Sequence, residues 1–270
     1  HYDHLGYGEE GSLYRGERAI HNGADDNASG TAGLIELARI LKASNYKSNN
    51  YLFIAFSGEE MGLLGPNHLV KHFPMPVEQV NYMLNMDMIG RLKDNKLILN
   101  GIGTSTYWTP KIEEFNKKYN FNTSMNPEGF GPSDHSSFYA KDIPVLMFFT
   151  DLHSDYHKPT DTPDKINTDG QQKVLSMVYD ITYDLSTRAD KPELTKVVVN
   201  KEENKGERKT VRVYVGTVPD FSYSDAGYKI SGVQAGSPAE NAGILAGDIM
   251  IKFGNKEINN LYDYTAALGE

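Results

Sequence analysis

The stretch Tyr51-Leu52-Phe53-Ile54-Ala55-Phe56-Ser57-Gly58-Glu59-Glu60-Met61-Gly62 constrains this chain more than any other. Six uncharged residues of aromatic, β-branched and aliphatic type read as a buried strand. Gly58 then permits a sharp turn, and two carboxylates follow side by side. Ligands of open α/β sheets bind beyond the carboxyl ends of strands. Two adjacent acids there are costly unless a metal or another cation neutralises them. Adjacent side chains also diverge, so one can bind a metal while the other handles protons. A solvated surface turn is the plainer reading of a lone Glu-Glu pair.

Other acids and imidazoles also lie just past strand-like or helix-opening segments. Asp87 ends the run at 82–88, His157 follows the apolar run Pro144 to Phe149, and Asp26 lies in Ala24-Asp25-Asp26-Asn27-Ala28-Ser29-Gly30, ahead of a helix. His1 and Asp3 open the chain and suit a ligand with a carboxylate behind it, although at a terminus a disordered tail is the alternative. Asp26 alone would pass for a helix cap. His4 and His21 have no partner in the pattern and read as surface residues.

Between these points the pattern alternates. A helix is expected over 28–43, where Leu34, Leu37, Ala38 and Leu41 form a stripe, and others over 106–119 and 169–185, with a shorter one from Ser133. A helix interrupted by Pro66 should run to about Lys71, and strands are expected at 51–56, 82–88, 96–99, 122–125 and 144–149. Such alternation implies an α/β fold: a three-layer α/β/α domain with a mixed, largely parallel sheet. We place that domain at 1–188 and read its N-terminal strand as missing, with a charged linker at 189–209 that includes a strand at 195–199. A small partial α+β domain follows at 210–270, with strands near 211–215, 228–233 and 248–253, a turn and short helix at 236–243, and a helix at 261–268.

Composition excludes little but is useful here. The chain of 270 residues carries a net charge of −9 and has no basic cluster, which argues against nucleic-acid binding. It has no cysteine, so thiolate ligands, a thiol nucleophile and disulfides are ruled out. No apolar run is long enough to span a bilayer.

His1, Asp26, Glu60, Asp87 and His157 supply two imidazoles and three carboxylates, a set that suits zinc, with manganese or cobalt as alternatives. They can hold two divalent ions if one carboxylate bridges, leaving Glu59 as a general base. The stretches HYDHLG (1–6), GADDNASG (23–30), FSGEEMGLLG (56–65), NMDMIGR (85–91), SDHSSF (133–138) and YHKPTDT (156–162) resemble, in the same order, the M28 family of zinc metallopeptidases. The resemblance implies two Zn2+ ions per chain bridged by Asp26, with Glu60 and His157 completing one site and His1 and Asp87 the other. It makes Glu59 the proton shuttle and Asp3 the residue that orients His1, and it likens the Asp26-Asn27 bond to a strained, often cis peptide of the family. Tyr156 matches a tyrosine that stabilises the tetrahedral oxyanion in some members; a packing tyrosine is the alternative. Asp134 and His135 fall in a family motif and are expected in structural roles. The loop before Ser133 offers only Glu128 where some members carry more polar, charged residues for the substrate amine.

The implied activity is a metallo-exopeptidase, releasing N-terminal amino acids from peptide substrates, in a secreted or periplasmic protein. Two other readings stay open: a glutaminyl cyclase-like single-zinc transferase, and a peptide-binding protein whose peptidase-like domain is inactive. The latter draws on VQAGSPAENAGILAGDIMIKFGNKEI (233–258), which resembles a bacterial PDZ domain that stops before its final strands. That resemblance implies a peptide ligand, which would add as a strand beside Tyr228-Lys229-Ile230.

Overall fold

A computed structural model describes residues 1–9, 11–44, 49–197, 215–219, 226–233, 236–259 and 261–268. It divides into two compact units, His1–Thr195 and Lys196–Glu270.

In the first unit a four-stranded sheet has the order β1 (Met83–Met86), β4 (Val145–Phe149), β2 (Lys96–Asn100), β3 (Asn122–Asn126). β1 runs parallel to β4 and β2 parallel to β3, while β4 and β2 are antiparallel, so the sheet is mixed. Helices α1 (Gly30–Ala43), α3 (Trp108–Tyr119) and α5 (Thr168–Thr187) pack on one face through Leu37, Trp108, Ile112, Val174, Met177, Val178 and Ile181. The four α5 residues in that set recur at helical spacing, which is why this face turns inward. Asn167 caps α5 by accepting from the Gly170 amide at 2.9 Å. On the other face, α2 (Leu64–Lys71) and α4 (His135–Tyr139) bury Val70 and Phe138 against Phe56, Ile143 and Val145. The result is the three-layer arrangement that the alternation implied. β1 and β4 point the same way, so Asp87 and the loop leading to His157 emerge on one rim.

The expected strand at 51–56 is not formed. The segment has no strand pairing, and Leu52 and Phe53 are 59% and 37% exposed, although Ile54 and Phe56 face the second cluster. A charge-free run is covered on both faces only when the sheet extends past it, and among the described residues this sheet ends at β1. The expected strand at 195–199 is likewise absent over 195–197, and its remaining residues, the charged run 201–209 and most of the strand at 211–215 lie outside the described residues.

In the second unit, β5 (Thr217–Pro219), β6 (Tyr228–Val233) and β7 (Ile249–Met250) form an antiparallel sheet in that order, with a hairpin of β8 (Lys252–Phe253) and β9 (Lys256–Glu257). α6 (Pro238–Asn241) is capped by Ser237, which accepts from the Glu240 amide at 3.1 Å. α7 spans Leu261–Leu268, and Tyr264 stacks on Tyr228 at 4.3 Å over a core that includes Ile230 and Ile258. β6 is the central strand: β7 pairs with Tyr228 and Lys229 on one side, and β5 pairs with Ile230, Gly232 and Val233 on the other. Among the described residues, β5 is paired on one side only.

Candidate metal centre

The loop before α1 places Asp26. Gly23 starts it in the left-handed region (φ 59°), and the Asp26-Asn27 peptide is cis. The amides of Asp25 and Asp26 both donate to Asp161 Oδ2, at 2.8 and 3.2 Å. Asn27 staples the loop to the end of β1: its Oδ1 accepts from the amides of Gly30 and Met88, and its Nδ2 donates to the Met86 carbonyl. Gly30 permits that approach, because a Cβ there would lie 2.3 Å from the same carbonyl. The turn after Phe56 is held by Asp3, whose carboxylate oxygens accept from the Glu59 and Glu60 amides at 3.3 and 3.4 Å.

Six of the expected site residues converge. His1 Nε2 lies 3.3 Å from Asp26 Oδ1, 3.5 Å from Asp87 Oδ1 and 3.6 Å from Glu59 Oε2. His157 Nε2 lies 3.2 Å from Asp26 Oδ2 and 3.1 Å from Glu60 Oε2. Asp26 therefore turns one oxygen to each imidazole. Both rings have their other nitrogen occupied: His157 Nδ1 donates to the Gly11 carbonyl at 2.8 Å, and His1 Nδ1 sits 3.1 Å from the Asp3 carbonyl. In neutral rings these contacts leave the Nε2 lone pairs facing carboxylate oxygens.

That arrangement fits two small divalent cations. Donors held about 2.0–2.1 Å from a tetrahedral ion are roughly 3.3 Å from one another, close to the five separations above and longer than an ordinary charged hydrogen bond. Asp87 Oδ1 is buried without a hydrogen-bond partner. The four carboxylates Asp26, Glu59, Glu60 and Asp87 carry −4 between them, which two divalent ions would balance.

Without a cation, protons take up that demand. Burial opposes charge on His1, but hydrogen bonds with Asp26, Asp3 and Asp87 outweigh it and raise its pKa far above the usual range. His157 is pushed up to about 10, with burial again overridden by Asp26 and Glu60. Glu60 is drawn down to about 2 against its burial by hydrogen bonds with His157 and His4. Glu59 has no such partner, and burial pushes it up to about 9 despite the opposing His1 charge, with Asp87, Asp134 and Glu60 adding to the rise. Adjacent in sequence, the two glutamates have opposite protonation chemistry. Tyr156 stacks on His157 with ring centres 3.8 Å apart. Burial, and then the nearby Asp26, Glu60, Asp87 and Glu59 charges, raise its pKa.

Asp3 lies behind His1, but its carboxylate is 3.7 Å from Nδ1, so its amide contacts to the Glu59-Glu60 turn are the shorter ones. Asp134 Oδ2 accepts from the His1 backbone nitrogen at 3.2 Å, and Asn85 Nδ2 contacts both Ser133 Oγ and His135 Nδ1. Sequence reasoning missed two contacts. Ser133 donates to Asp87 Oδ2 at 2.6 Å. His4, expected on the surface, is largely buried, with Nδ1 2.6 Å from Glu60 Oε1. His21 is also buried, against Ser12 Oγ at 2.7 Å. The signal for His4 was its place in the same short loop as His1 and Asp3.

Two imidazoles and four carboxylates therefore gather at the rim of a mixed α/β sheet, in groups that could hold metal ions. The model of peptidase family M28 matches residues 1–182, and the chain belongs to that family. A PDZ domain model matches residues 229–268. The chain is 32% identical over 186 residues to aminopeptidase YwaD of Bacillus subtilis, a match covering 64% of this chain and 40% of that protein. The structure of BSAP, a zinc aminopeptidase from the same species, is similar at 30% identity with a TM-score of 0.53, over 61% of this chain and 42% of that one. Legionella pneumophila LapA aminopeptidase shares the fold at 22% identity and a TM-score of 0.55, over 64% of this chain and 49% of that one. The chain thus spans about half or less of these three relatives.

Proposed function

We propose that the protein is a two-zinc aminopeptidase that releases N-terminal amino acids from peptides. The observation that carries this reading is Asp26, whose two oxygens face two different histidine Nε2 atoms, at 3.3 and 3.2 Å. Zinc is supported by the mixed imidazole and carboxylate donors and by the zinc aminopeptidase of Bacillus subtilis to which the chain is similar. Asp26, Glu60 and His157 would hold one ion, and Asp26, Asp87 and His1 the other. Bound there, the ions would polarise the scissile carbonyl and acidify water.

The chain's own residues supply the rest. Glu59 takes a proton from the attacking water and delivers it to the leaving amine nitrogen. Its carboxylate lies 3.6 Å from His1 Nε2, beside one of the proposed ion positions and within reach of water held there. The similarity to proteins named as aminopeptidases supports cleavage next to a free peptide N-terminus. Tyr156, held flat on His157 with its phenol near the carboxylates, donates to the developing oxyanion. The PDZ domain would engage a peptide along β5, whose outer edge has no strand partner among the described residues.

A panel of aminoacyl-p-nitroanilides and N-blocked peptides tests the proposal, assayed with zinc, with chelator and in Glu59→Gln. Free-amine substrates should be cleaved in a zinc-dependent way, and the variant should lose about 100-fold or more in kcat while keeping its zinc. Cleavage confined to blocked peptides would reject the aminopeptidase reading. Ammonia release from N-terminal glutamine with one zinc per chain would favour the cyclase, and peptide binding without any hydrolysis would favour an inactive domain.

A further inference from the structure

We infer that His4 is a positioning residue that restricts Glu60 to presenting one oxygen to the metal centre. The inference rests on the proposed metal reading and concerns a residue that reading does not use. Glu60 is gripped on both oxygens: Oε2 faces His157 Nε2 at 3.1 Å, and Oε1 lies 2.6 Å from His4 Nδ1. Glu60 is ionised, so Nδ1 is the donor. The remaining His4 nitrogen, Nε2, is buried with no hydrogen-bond partner.

The His4 ring is fixed in place. It meets the His157 ring edge-on, with centres 5.9 Å apart at 74°. Gly23 leaves room for it, since a Cβ at that position would lie 2.6 Å from His4 Cγ. His4 thus touches both His157 and Glu60, and among the described residues its side chain's hydrogen bond takes up the Glu60 oxygen turned away from His157. Asp26, by contrast, has both oxygens turned to imidazoles. A carboxylate that offered both oxygens to one ion would fill an extra position, whereas catalytic sites of this kind keep one open. Holding Oε1 back keeps that position available.

The test uses the full chain loaded with cobalt(II) in place of zinc, in the parent, His4→Ala and His4→Asn. The Asn amide nitrogen can occupy the place of Nδ1 and donate to Oε1. The readouts are cobalt stoichiometry by chelator competition and the visible d–d spectrum, which weakens as coordination number rises. The parent should bind two ions. His4→Ala should hold one of them about 10–100-fold more weakly and show a weaker d–d band, and His4→Asn should restore both. Circular dichroism of the metal-free variants should show that each is folded before cobalt is added. A parent that binds no cobalt overturns the metal reading and this inference together. A parent that binds two ions, with His4→Ala matching it in affinity and spectrum, overturns the role of His4 alone. So does a His4→Asn variant as impaired as His4→Ala.

Discussion

Cation binding should dominate the stability of the first unit, by an amount that can be worked from the ligand geometry. Each ion that binds the folded chain at about 100 times its dissociation constant adds about 2.7 kcal/mol. The unit spans His1–Thr195, a size at which 1 kcal/mol moves the melting temperature by about 2–4 °C. Each zinc should therefore raise the melting temperature by roughly 5–10 °C, and both together by twice that. The structure also says how the increments divide. Of the two imidazoles Asp87 faces that of His1, so Asp87→Asn should remove one increment; Asp26 faces both, so Asp26→Asn should remove most of both. Calorimetric scans of chelated protein, back-titrated with zinc, would measure the steps, with elemental analysis counting the ions. A single increment in the parent, or equal losses in Asp26→Asn and Asp87→Asn, would refute the reasoning that Asp26 joins two sites.

Other outcomes follow from the same structure. His135 is completely buried, and that burial holds its pKa down to about 4. The folded chain then stays unprotonated at His135 where the unfolded chain, with a value near 6.5, takes up a proton, so stability should fall as pH drops from about 6.5 to 4, by roughly 3 kcal/mol in all. Denaturant titrations of chelated protein should show that loss reduced in His135→Gln; an identical pH profile would count against it. Ile181 is fully buried on α5, and Ile181→Ala should cost about 2–5 kcal/mol in denaturant unfolding of the first unit. A cost below 1 kcal/mol would mean that the face between α5 and the sheet is not close-packed.

Much of the first unit was legible because its signals are local. The stripe on α5, the apolar runs that became β1 and β4, and the acids just beyond them depend on spacing and on which residues a pleat or a turn can hold. The two glutamates after Phe56 announced a site for an electrostatic reason: adjacent buried charges need a cation or a proton between them. The motif order carried the family. Other features could not be read from local pattern. The run at 51–56 looks like a buried strand, yet whether it pairs depends on what lies beside it, and among the described residues the sheet ends at β1. Which strands flank Tyr228-Lys229-Ile230 is set by β5 and β7, from distant parts of the second unit.

The chain alone determined which donors are present, two imidazoles and a surplus of carboxylates with no thiolate, and so the kind of ion and chemistry it can support. Tertiary structure decided which oxygen faces which nitrogen. Asp26 touches both histidines, Glu59 rises while Glu60 falls, and His4 leaves the surface for Glu60, because each depends on contacts across tens of residues of chain. Charge and hydrogen bonding act over a few ångströms, and only the folded chain sets those distances.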